Sequence, residues 1–324
     1  MADPCDSEGM TRRQWLYMGI LAALWGASYL FIEIALRDGS APFIVFARTL
    51  LGAAVLVPLA MRRDALRPLR GRLGAVAVMA SVQVAGPFLL ISFGQEHIAS
   101  GLAGILVSSA PIYTALLAVF VDQDERSHGW SLFGVLIGIV GVALLFGVDL
   151  SGDGAALVGG LMVLLAGLGY AVGALFLKRR LPGAPPVGVA AGTMVFAALM
   201  TAPLAAIFPP DGLSLATVGA LFGLGAGGTG VAFFLFFTLI AEIGPGRASI
   251  VAYVAPVFAV FYGAVLLGED IGVASIAGLV LILGGSYLGV RRKAQAPAPA
   301  PDTPAPVSRS GPSRSSAPAP ARAR

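Results

Sequence analysis

The chain has 324 residues, 57% of them hydrophobic and only 12% charged, with a formal net charge of +4 and a mean hydropathy of +0.87. A water-soluble domain carries roughly 25% charged residues because its surface faces water; half that share over this length excludes an ordinary soluble fold and points to the bilayer. One cysteine, Cys5, excludes an internal disulfide, and two histidines, His97 and His128, do not make a zinc site.

About ten apolar stretches can be read, at 14–36, 42–60, 72–93, 99–121, 130–147, 155–177, 187–207, 216–240, 247–267 and 272–290. Most are long enough to cross roughly 30 Å of hydrocarbon at about 1.5 Å per residue. Arg12 and Arg13 precede the first as they would a signal peptide, but the run exceeds a typical h-region and further spans follow, so an uncleaved helix is expected. Short connections make neighbouring helices antiparallel. The first span carries Trp25 and Ser28 about one turn apart, on one face. Glu33 sits near its end, and Arg48 lies about two turns into the second span from the same side. Their depths differ by only a few Å on a rise of about 1.5 Å per residue, which puts an ion pair within reach, structural or gating.

Gln83 lies mid-way along the third span, and Ser108, Ser109 and Pro111 along the fourth. The short fifth span has Gly134 and Gly138 on a face suited to helix packing or to a homodimer contact. Tyr170 stands in the sixth, Thr229 in the eighth, and Tyr253 and Pro256 in the ninth. The glycine-rich run 219–230 permits close helix approach and, as a second reading, bending. From Ala294 a Pro/Ala/Ser tail with scattered arginines cannot bury a core; a disordered tail near anionic lipid is expected.

Lysine and arginine fall on one side of this plan. With the N-terminus inside, that side collects Arg12, Arg13, Arg62, Arg63, Arg67, Arg70, Arg72, Arg126, Lys178, Arg179, Arg180, Arg247, Arg291, Arg292 and Lys293, while the opposite loops hold only Arg37. The asymmetry predicts an even number of spans with both termini cytoplasmic, and it accounts for the net charge without nucleic acid.

The chain also resembles itself at a shift of 145 residues, which brings Pro58 onto Pro203, Gly74 onto Gly219 and Phe88 onto Phe233. "IASGLAGILVSSAP" (98–111) falls on "IGPGRASIVAYVAP" (243–256), and Trp25 on Tyr170. Five spans per half is an odd number, so equivalent helices cross in opposite directions. The acidic turn Asp122, Asp124, Glu125 is then inside and its counterpart Glu269, Asp270 outside. The fold class read here is an all-α integral membrane protein of about ten helices in two inverted five-helix repeats. The chain divides into a leader at 1–13, repeats at 14–147 and 155–290, and a tail at 291–324. Inverted repeats recur in secondary transporters, where two oppositely oriented halves exchange shape around a central site.

Pro111 and Pro256 each remove a backbone donor and free the carbonyl four residues earlier, Val107 and Ala252. The result is either a kink that eases helix crossing or, with Ser108, Ser109 and Tyr253, a polar patch for substrate. Trp25, Tyr170, Gln83, Thr229 and Ser28 fall at similar depth and suit a small amphipathic solute; packing or interhelical hydrogen bonds are the alternative for each. No carboxylate stands at the midplane. Glu33, the rim residues Glu96 and His97, and Glu242 are the candidates for proton coupling, and a facilitator stays open.

With these residues in place, the chain resembles the drug/metabolite transporter superfamily, EamA-type. The resemblance rests on "LWGASYLF" (24–31), "FARTLLGA" (46–53), and the "AS…AP" of 248–256 closing with "LLGED" (266–270), and it covers roughly 14–290. The first repeat departs from the pattern, with "VDQDE" (121–125) where "LLGED" is expected. The resemblance implies a multi-pass transporter of a bacterial cytoplasmic membrane that exports amino acids or related metabolites without a cofactor; efflux of drugs or toxic compounds by the same fold is the alternative. An intramembrane enzyme needs paired aspartates, a histidine metal set or a Ser–His pair, and no such set is visible. A receptor reading would call for an appended folded domain.

Overall fold

The computed structural model describes residues 10–121, 130–148, 153–210 and 212–291. Cys5, His128, the acidic turn Asp122, Asp124, Glu125, and the tail from Arg292 lie outside the described residues.

All regular structure among the described residues is helical: α1 (Arg12–Ala35), α2 (Ala41–Arg62), α3 (Leu73–Met79), α4 (Gly86–Gln95), α5 (Ser100–Val107), α6 (Ala110–Val121), α7 (Trp130–Val148), α8 (Gly154–Arg180), α9 (Pro186–Ile207), α10 (Leu215–Phe222), α11 (Ala232–Ala248), α12 (Val251–Leu266) and α13 (Val273–Arg291). Several of these join into longer runs. A 3-10 turn (Arg67–Arg72) leads into α3, and a π-helical segment (Ala80–Ala85) links α3 to α4. A second π-helical segment (Gly223–Val231) links α10 to α11. Seven helical runs are long and apolar enough to cross a membrane, and three shorter apolar helices accompany them.

Local chemistry explains the helix starts. Thr11 and Gln14 form a capping box before α1; Ser40 caps α2, Asp153 caps α8 through Ala155 N and Ala156 N, and Ser214 caps α10. Lys178, Arg179 and Arg180 close α8, where cations suit the helix dipole. Gly244, at φ 78°, breaks the helical path inside α11, a backbone state that costs a residue with a Cβ.

Polar contacts tie helix ends together in two groups. Arg13 pairs with Glu242 at 2.9 Å and Arg72 donates to Pro182 O at 3.1 Å. At the other helix ends, Asp38 accepts from Ser214 N and Thr217 Oγ1, Ser40 Oγ donates to Phe208 O at 2.6 Å, and Glu269 accepts from Ser100 N and Gly101 N. Residues 10–291 form one compact unit with these contacts crossing between the halves.

Glycine faces bring the helices into contact. α7 packs against α13, where a Cβ on Gly285 would run into the Gly134 and Gly138 backbone. The Gly134–Gly138 face, read from sequence as a possible dimer contact, is therefore buried within the chain, because two glycine faces let these backbones touch. The glycine run in the eighth span is likewise in contact: Gly225 meets Leu51, Gly228 meets Ser28 and Gly230 meets Val55.

Candidate functional site

The two π-helical segments fall at matching positions of the two halves: 80–85 shifted by 145 residues is 225–230, inside Gly223–Val231. A π turn widens the helix and displaces the backbone ladder, and such turns gather at functional sites. Thr229 sits in the second one. Its hydroxyl donates to Leu224 O at 3.0 Å and accepts from the Nε of Arg48 at 3.0 Å.

Arg48 is the centre of the arrangement. It is 8% exposed, and its guanidinium lies 3.6 Å above the ring of Phe88, a cation–π stack. Tyr29 and Tyr170 are buried nearby. Spans one, two and three of the first half (Tyr29, Arg48, Phe88) thus meet spans six and eight of the second (Tyr170, Thr229). The terminal guanidinium nitrogens make no hydrogen bond to the described residues. At the equivalent position of the second half stands Thr193, whose hydroxyl bonds Ala190 O at 3.0 Å; the cation is present in one half alone.

The expected Glu33–Arg48 ion pair does not form. Equal depth placed them together, but azimuth separates them: Arg48 turns toward Thr229 and Phe88, and Glu33 toward Gln95 and Glu269. Trp25 and Tyr170, aligned by the repeat, have different neighbours. Trp25 contacts Phe233 at 6.3 Å edge-on and Phe236 at 5.1 Å, while Tyr170 packs against the core cluster that contains Phe88. Ser28 donates to Leu24 O and lies against Gly228, so it faces the same span as Trp25.

Other candidates lie elsewhere. Gln83 packs its side chain on Gly173 of α8. Ser108 and Ser109 each return a 2.6 Å bond to their own chain, to Ile105 O and Leu106 O. Tyr253 reaches Ser286 O at 3.5 Å and meets Tyr287 edge-on, facing α13. Pro111 is not a mid-helix kink: the helix stops at Ser108–Ser109, and Pro111 occupies the first turn of α6, where its missing N–H costs nothing. Pro256 does sit inside a helix, α12, and the matching break falls earlier, at Ser249–Ile250.

Sequence reasoning passed over Tyr29, Phe88 and Gln95 as site residues. The alignment of Phe88 with Phe233 was the signal available for one of them. A hollow of about 270 Å³ beside the first π segment, lined by Val82, Pro87, Leu165 and Val172, contains none of the predicted binding residues. Outside the spans, burial raises the Glu96 carboxyl from its ordinary value, against the lowering effect of His97. Asp38 is lowered to about 2 by hydrogen bonds from the Ser214 and Thr217 side chains and from Ser214 N.

Known proteins resemble this chain over most of its length. The chain is 26% identical over 280 residues to the uncharacterized transporter YoaV of Bacillus subtilis, covering 84% of this chain and 95% of the relative. It is 28% identical to the uncharacterized inner membrane transporter YedA of Escherichia coli over 83% and 90%. With a probable amino-acid metabolite efflux pump of Escherichia coli it shares 25% over 87% and 96%. One solved crystal structure superposes with a TM-score of 0.62 over 89% of this chain and 100% of its own, at 22% identity, a likeness of fold. The model of the EamA-like transporter family matches twice, over 13–147 and 157–291, so this multi-pass membrane chain belongs to the EamA-like transporter family.

Proposed function

We propose that the chain is a secondary transporter that exports a small amphipathic metabolite bearing a carboxylate, an amino acid or a related compound, by alternating access between its two inverted halves. The observation that carries this reading is Arg48, a cation at membrane depth between the halves whose terminal nitrogens find no acceptor among the described residues. A guanidinium fork matches a carboxylate bidentately. One unpaired cation balances one negative charge, whereas a dianion would leave charge uncompensated at depth. The aromatic rings of Tyr29, Phe88 and Tyr170 suit the apolar part of the solute.

The topology belongs to the same proposal: ten crossings, both termini inside, in a bacterial cell membrane. Every contact between helix ends described above joins ends that this plan puts on one side, and the basic loops gather on the inner side. Efflux of toxic compounds by the same fold draws support from the aromatic cluster of Trp25, Phe233 and Phe236, but Arg48 disfavours cationic drugs.

The test is flux in proteoliposomes of labelled L-leucine, L-phenylalanine and L-threonine, each beside its methyl ester. The acids are expected to move faster than the esters, and Arg48→Gln to lose about ten- to a hundred-fold of acid flux, the worth of hydrogen bonds to a charged group. Equal handling of acid and ester by the wild type, or undiminished acid flux in a folded Arg48→Gln variant, would reject the reading.

A further inference from the structure

Away from Arg48, a second polar cluster joins the halves at the C-terminal end of α1. Glu269, in the turn between α12 and α13, caps the N-terminus of α5: its two oxygens accept from Ser100 N at 2.8 Å and Gly101 N at 2.9 Å. Gly263 leaves room for it, since a Cβ there would overlap the Glu269 carboxylate. This is a latch between the second half and the first. On the proposed topology it closes the outer end.

Three buried side-chain atoms around this latch lack a hydrogen-bond partner among the described residues: Glu33 Oε2, Gln95 Oε1 and Ser100 Oγ. Gln95 is 4% exposed and Ser100 0%. Gln95 Nε2 donates to Tyr29 O at 3.0 Å, and the same side chain also faces Glu33. Two of the orphans, Glu33 Oε2 and Gln95 Oε1, are pure acceptors, and each lacks a donor. The charged groups that act on Glu33 are Glu269 across the latch and Arg37 beyond the end of its own helix; α4 presents neutral Gln95, and α5 presents its backbone N–H groups and Ser100.

We infer that Glu33 is a proton-binding site that holds the latch: it is protonated while the Glu269 carboxylate caps α5, and it loses its proton when the halves part at this end. One proton supplies the missing donor and removes a like charge from beside Glu269. By linkage, the state that binds the proton more tightly is favoured at low pH and lost as pH rises. A metal ion is the poorer occupant: Glu269 already gives both oxygens to backbone N–H groups, and no group of three metal-ligating side chains occurs among the described residues. The inference rests on the alternating-access reading above.

The experiment is thiol labelling of the detergent-solubilised full chain carrying Cys5→Ser and Ala259→Cys. Ala259 is buried against Gly104 of α5, between the halves and one helical turn from the Gly263 that abuts Glu269. Rates are measured from about pH 5 to about pH 9, the range in which a buried carboxyl titrates, and divided by that of Cys5 in the unaltered chain. Labelling is expected to rise with pH, to become pH-independent and slow in Glu33→Gln, and to be fast at every pH in Glu269→Gln. Opening that is insensitive to pH, or equally sensitive in Glu33→Gln, overturns the proton site and leaves the transport reading standing. Slow labelling in Glu269→Gln overturns the latch. Labelling suppressed at high pH by sodium but not potassium makes the ion sodium and overturns the proton. No labelling under any condition, with a melting temperature like the wild type, overturns alternating access itself.

Discussion

A guanidinium in the hydrocarbon layer is costly unless it is paired or serves a purpose. Arg48 meets that cost with one neutral hydrogen bond, to Thr229, and one aromatic face, Phe88. Groups retained at a cost in stability mark function. Arg48→Met is accordingly expected to keep or raise the stability of the solubilised protein, by about 1–2 kcal/mol at most in thermal unfolding, while acid flux collapses; a fall in stability would make Arg48 a structural residue. Asp38 allows a pH prediction. Its folded pKa of about 2 lies below the ordinary value near 3.9. Its stabilising link to Ser214 and Thr217 is therefore complete above about pH 4 and lost as pH falls through about 2. Melting curves of wild type and Asp38→Asn should differ at neutral pH and converge in that acid window.

The helices are set by glycine contacts more than by shape-filling side chains. Gly284 and Gly285 are neighbours on α13, and they separate packing from propensity. A Cβ at Gly285 meets the Gly134 and Gly138 backbone, and one at Gly284 meets nothing within 4 Å. Gly285→Ala should lower stability by about 1–3 kcal/mol through overpacking, and Gly284→Ala should raise it by up to about 1 kcal/mol through helix propensity; thermal unfolding in one detergent reads both. The spans were legible as apolar runs, whereas the caps Thr11, Ser40 and Asp153 came to light only in the structure. The π segments were not legible either. Gly223–Val231 reads as packing glycines, and Ala80–Ala85 carries no mark at all; an extra residue per turn is selected by the neighbours each wide turn meets. The unequal helix breaks, Ser108–Ser109 before Pro111 and Ser249–Ile250 before Pro256, were hidden for the same reason: proline permits a break without stating where it falls.

The whole molecule poses a question of orientation that the solitary cysteine answers directly. Cys5 precedes α1, so a membrane-impermeant maleimide should label it in inverted vesicles and not in intact cells. The opposite pattern would put the N-terminus outside and reverse the sidedness assigned to both Arg13–Glu242 and the Glu269 latch.

Sequence alone determined the membrane setting, the apolar spans, the repeat and the family, because these depend on composition, run length and order along the chain. It also singled out Arg48, Thr229 and Tyr170, since charge, hydroxyl and ring at membrane depth are conspicuous one at a time. Which of them meet was decided by tertiary structure. Depth follows from position in a span, but azimuth and register follow from contacts such as Gly52 against Thr229 and Gly225 against Leu51. Those contacts turned Arg48 toward Thr229 and Phe88, left Glu33 with Gln95 and Glu269, and turned Tyr253 toward α13.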